Sequence, residues 1–148
     1  MKIIGAFIAV VMLASPAGAQ RLSEDEYLKR MMAGGPMLDP PELERALAEA
    51  EKHPLGSKQN PVRASRPAGQ RAYLDTLRCS DGTAPRYTRS GNVGAGVFAS
   101  IVDLYVVDCG EAKPGRQEVY MDMYFPGYQE KRIVPAFADR PPAPTPAV

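Results

Sequence analysis

Two cysteines, one histidine, a few strand-borne carboxylates and a run of arginines are the side chains with which this sequence could do chemistry. Cys79 and Cys109 are its only thiols, and each closes an apolar stretch before a turn, in "DTLRCSDG" and "DLYVVDCG". Redox catalysis would want a C-x-x-C motif, and structural zinc would want paired ligand spacings; neither occurs. In an oxidising compartment the two thiols are expected to form a disulfide. Closing a loop of about thirty residues contributes roughly 3–4 kcal/mol in the chain-entropy model.

Asp103 and Asp122 are the candidate catalytic residues. Two carboxylates facing one cleft could serve a glycosidase as acid and base. The competing reading is a solvated or salt-bridged role. Asp103 shares its pattern face with Ile101 and Tyr105, which is unusual for a carboxylate and could mean burial with an arginine partner. His53 could activate Ser57 or Ser65, but it stands beside Pro54 after a helical stretch, where an imidazolium suits the helix's negative end. Met121 and Met123 could offer thioethers to Cu(I), although methionines two apart on a strand also share one core face. Residues 58–90 hold the arginine run, and within it Arg63, Arg66 and Arg71 are the candidate binding residues for an anion. No P-loop, dinucleotide-binding glycine pattern, nucleophile elbow or zinc signature is present, and no cofactor or metal is expected.

These side chains must be positioned by a small fold. "MKIIGAFIAVVMLASPAGAQ" has a basic start, an apolar core and an A-x-A ending, which predicts a signal peptide over 1–19. Its apolar run is shorter than the roughly 20 residues a bilayer span needs, and no later stretch is long enough. Removing it takes away one of the 18 basic residues and none of the 17 acidic ones, so the mature chain is balanced. Zero net charge gives no general attraction to nucleic acid or to an acidic membrane.

Residues 20–56 read as two helices. Ser23 and Glu26 form a capping-box pattern, and Asp39 with Pro40 opens the second helix. Residues 57–137 read as β-rich. "VRA" could start an edge strand, "RAYLDTLRC" alternates with period two, "PRYTRS" could return, and "GNVGAG" could cross the domain. "SIVDLYVVDC" and "EVYMDMYF" are the strongest strands, "PGYQ" reads as a turn, and "KRIVPAF" offers a last strand. Residues 138–148 are a proline-rich tail expected to be disordered. The fold class is α+β: an N-terminal helical hairpin, then an antiparallel sheet of four to five strands with one disulfide. For the sulfurs to meet, the strands ending at Cys79 and Cys109 should be neighbours, or the sheet should curl.

The stretches "HPLGSKQNPVR", "GQRAYLDTLRC", "IVDLYVVDCG" and "YMDMYFPGYQE" resemble a group of small exported bacterial proteins of unknown function. The resemblance implies an envelope location and a cysteine-pinned β domain, and brings no activity or site residues. Together these readings predict a periplasmic or secreted, non-enzymatic binding or structural domain. Its partner would be an envelope protein or an anionic envelope component, not nucleic acid. The alternative is a small exported hydrolase of a wall or surface polymer.

Overall fold

A computed structural model describes residues 23–138. The expected signal peptide lies outside them, as does all of the proline-rich tail beyond Ala138. Helices α1 (Glu24–Ala33) and α2 (Pro40–Ala50) precede strand β1 (Val62–Ser65), helix α3 (Arg66–Leu74) and strands β2 (Arg86–Ala95), β3 (Ile101–Asp108), β4 (Arg116–Asp122) and β5 (Tyr124–Gln129). A short 3-10 turn over Pro135–Phe137 follows. The class is α+β, with one five-stranded sheet.

Both early helices start as their sequence indicates. The Glu26 N–H donates to Ser23 Oγ at 3.3 Å, while the Glu26 carboxylate turns forward to Arg30. Asp39 precedes α2 in extended conformation with prolines in the first turn, but its side chain makes no cap bond. It lies 3.8 Å from Arg30 instead.

The sheet corrects the antiparallel expectation. Its order is β2-β3-β4-β1-β5, with β1 parallel to β4 and antiparallel to β5. The stretch "VRA" is therefore interior, not an edge. The segment "RAYLDTLRC", expected to be a strand, is not one: it carries the last four residues of α3, Arg71–Leu74, and the turns after it. Gln70, Tyr73, Leu74 and Leu77 follow helical i, i+3, i+4, i+7 spacing, and all four are buried. Pro67 stands in the helix's first turn, where a missing N–H costs nothing.

Cys79 and Cys109 are bonded, with sulfurs 1.98 Å and Cα atoms 5.7 Å apart. Only Cys109 follows a strand. Cys79 sits in the loop after α3, so the disulfide ties that loop to the end of β3 rather than joining neighbouring strands.

"GNVGAG" is not a crossover but the second half of β2, paired to β3 across two register shifts. Gly94 has φ +85° there. Gly96, just beyond, approaches β3 so closely that a Cβ would fall 2.3 Å from Val102 Cγ2. "PGYQ" continues β5 and "KRIVPAF" ends in the 3-10 turn, so neither is as expected.

Two cores result. On one sheet face Val62, Tyr105, Val107, Val119 and Met121 pack with Tyr73, Leu74, Leu77, Val134 and Phe137. A smaller cluster joins Ala50, Leu43, Ala46 and Leu47 of α2 to Phe98, Phe125 and Tyr128.

Candidate functional site

Strand parity decides where Asp103 and Asp122 stand. In the β3–β4 ladder Asp103 lies opposite Met121, and Asp122 opposite Val102. Opposed residues share a face and neighbours alternate, so the two carboxylates occupy opposite faces of the sheet. Both are buried, at 2% and 0% exposure. They do not share a cleft, and each is occupied by internal partners.

Asp103 lies under α3. Its Oδ1 accepts from Arg89 at 2.7 Å, and its Oδ2 accepts from Gln70 Nε2 at 3.1 Å. The Tyr105 hydroxyl donates in turn to Gln70 Oε1 at 3.1 Å. Burial first, then the Asp103 charge, pushes the Tyr105 hydroxyl upward in pKa. This directional chain couples the helix to β3, and Arg89 is the arginine that the pattern around Asp103 called for.

Asp122 ends β4 on the other face. Its Oδ2 accepts from the Ser100 hydroxyl, and its Oδ1 accepts from the Tyr124 N–H at 2.9 Å. Burial raises its pKa; the two hydrogen bonds work against that rise, and the charge of Asp103 adds to it.

The three candidate binding arginines do not converge. Arg63 is only 11% exposed at its side chain, 3.3 Å from Glu51 and 3.6 Å from Glu130, and its guanidinium lies 4.9 Å from the Tyr128 ring centre. Its Nε is buried without a hydrogen-bond partner. Arg132 completes the cluster by bridging Glu51 and Glu130. Burial pushes the Glu130 carboxyl up, but hydrogen bonds from the Arg132 side chain and backbone, with the Arg132 and Arg63 charges, outweigh it and hold the pKa at about 2. This cluster clasps the end of α2 to β1 and to the segment after β5. Arg66 and Arg71 are both exposed, Arg66 at the first residue of α3 with φ +62° and Arg71 in its last turn.

His53 is exposed, and its N–H donates to Ala50 O. Ser57 Oγ accepts from Asn60 N–H and Ser65 Oγ from Gly127 N–H, so both hydroxyls bind backbone. Met121 is fully buried in the larger core. Among the described residues no three His, Cys, Asp or Glu side chains gather as a metal ion would need.

No family model, curated protein or solved structure matches the chain. What the molecule can do must therefore be read from its own surface.

Among the described residues, the face of β2–β3–β4 opposite α3 is open at the end away from the buried Val102 and Asp122. Cross-strand register sets Arg86, Asp108 and Arg116 in one row, and Thr88, Val106 and Glu118 in the next. Leu104 and Tyr120 follow beyond a bulge at Ser90. Arg86, Thr88, Arg116 and Glu118 are exposed, whereas Val106, Leu104, Asp108 and Tyr120 are half-buried. A shallow cavity of about 380 Å³ lies over the first two rows. Sequence reasoning placed Arg86 in the basic run and passed over Asp108 and Arg116. The available signal was parity: Asp108 falls on the same strand face as Leu104 and Val106, and Arg116 on that of Glu118 and Tyr120.

Proposed function

We propose that the protein is an exported, non-enzymatic binding domain of the bacterial envelope. The observation that carries this reading is the contrast between the two kinds of polar side chain. The buried carboxylates Asp103, Asp122 and Glu130 are consumed by internal partners. On the open three-stranded face the side chains of Arg86, Thr88, Ser90 and Arg116 have no partner among the described residues. In this reading α1 and α2 pack as a hairpin beside the other half of the sheet, and the leader and the disulfide reflect an oxidising destination. No helix among the described residues is long and apolar enough to cross a membrane.

Expression with the native leader followed by fractionation tests the address. The expected product begins at Gln20, carries both cysteines oxidised, and appears in the periplasm or medium. A reduced, uncleaved chain in the cytosol would overturn the reading. Cosedimentation of the mature chain with purified envelope tests the binding. The protein is expected in the pellet with the envelope polymer intact; polymer degraded into soluble fragments would favour the hydrolase alternative.

A further inference from the structure

We propose that the open face of β2–β3–β4 binds an acidic sugar, with its carboxylate or phosphate held between Arg86 and Arg116. The inference rests on the binding-domain reading and specifies its ligand.

Most arginines whose contacts define the fold are committed. Arg30, Arg63, Arg89 and Arg132 form ion pairs, and Arg78 donates to the Asp75 and Leu77 carbonyls. Arg86 and Arg116 have no such partner, although register places both beside Asp108. Arg66 and Arg71 are exposed too, but they stand at opposite ends of the nine-residue helix α3. Arg86 and Arg116 line a common cavity, together with Thr88, Ser90, Val106 and Asp108. Their Cα atoms are two strand spacings apart, about 9–10 Å, so long side chains from both flanks can meet one anion. Planar guanidinium forks match the oxygens of a carboxylate or phosphate.

Asp108 narrows the ligand. It lies between the two arginines, and its Oδ1 already accepts from the Gly110 N–H at 2.8 Å. Its other oxygen is an acceptor without a donor. A bare anion would meet that negative charge and offer it no proton. A sugar acid or sugar phosphate brings hydroxyl donors next to its charged group. Thr88 and Ser90 add hydroxyls along one flank, and the half-buried Val106 gives the C–H face of a sugar ring an apolar floor. Few cavities so open bind tightly, so the affinity belongs in the range of about 0.1–1 mM.

Amide NMR titration of the disulfide-bonded mature chain tests this, with trigalacturonate, glucose 6-phosphate, maltotriose and inorganic phosphate as probes. Either charged sugar, or both, should shift the amides of Thr88, Val106 and Gln117 saturably, and the responding probe identifies the anionic group. Maltotriose and inorganic phosphate should bind about tenfold more weakly or not at all. Arg86→Ala and Arg116→Ala should each weaken the charged sugar about tenfold while leaving the melting temperature unchanged.

Three results would overturn the site: no saturable shift with either charged sugar up to about 10 mM; phosphate binding as well as the sugars; or undiminished binding by the double variant. Envelope cosedimentation that survives the double variant overturns the site alone. A wild-type chain that neither cosediments nor binds either sugar overturns the binding-domain reading as well.

Discussion

Asp103 and Asp122 differ in what an amide could replace. Asp122 accepts one bond from a hydroxyl, which can reverse its role, and one from a backbone N–H. Asn at this position keeps an oxygen for the Tyr124 N–H and offers an amide to Ser100. It also removes a charge that burial disfavours. Asp122→Asn is therefore expected to match or exceed wild-type stability at neutral pH in denaturant melts. Asp103 accepts from two donors, one of them the Arg89 guanidinium, which can only donate; the Gln70 amide could turn over if the Tyr105 hydroxyl accepted instead. Asp103→Asn keeps an oxygen for Arg89 but strips that guanidinium of its counter-charge and forces the Gln70–Tyr105 link to reverse, so it should be less stable than wild type. Equal losses in the two variants would contradict the assignment of partners. That Asp103 has an arginine was legible from its place among apolar residues. Which arginine, and the Gln70 link, were not, because they depend on a helix that the period-two reading dissolved.

Between elements, the clasp of Glu51, Arg63, Glu130 and Arg132 gives acid stability a sign. Glu130 is held at about 2 in the folded chain against an ordinary value of 4.5. Its contribution is present above pH 4.5 and is lost as pH falls towards 2. Asp122 is shifted the other way, so its contribution is greatest below the ordinary value of 3.8 and fades as pH rises through its raised value. Glu130→Gln should lose about 2 kcal/mol at pH 7, after allowing for screening at the half-exposed Arg132, and its acid unfolding curve should be flatter than wild type. The check is melting temperature against pH by circular dichroism; parallel curves for the two proteins would remove Glu130 from the account. The clasp also engages Arg63, which the basic run had offered as a binding residue. A basic run shows charge, but the acidic partners lie far off in sequence, at Glu51 and Glu130. Helix α3 is a different lesson. Gln70, Tyr73, Leu74 and Leu77 had the helical spacing, and Ser65 with Pro67 had the start signal. The alternation of Tyr73, Leu77 and Cys79 fits a strand only if the interruption at Asp75 is ignored.

At the scale of the whole molecule, the sulfurs and strand order do separate work. The disulfide spans 30 positions and joins the segment after α3 to the end of β3. Replacing both cysteines with serine should cost about 3–4 kcal/mol in the chain-entropy model, read as an earlier urea midpoint with little change in slope. An unchanged midpoint would mean that the sheet and α3 hold this end unaided. The bond was legible from composition and compartment. The mixed sheet was not, since four residues at Val62–Ser65 carry no alternation long enough to mark an interior strand.

That short strand also sets a timetable. Its two neighbours in the sheet, β4 and β5, are made more than fifty positions later, at Arg116–Asp122 and Tyr124–Gln129. Local hairpins such as β2–β3 can close early, but β1 has no sheet partner until β4 has been made. A chain threaded through a narrow secretion channel in extended form would have this property in its favour, because premature closure is built out of its topology.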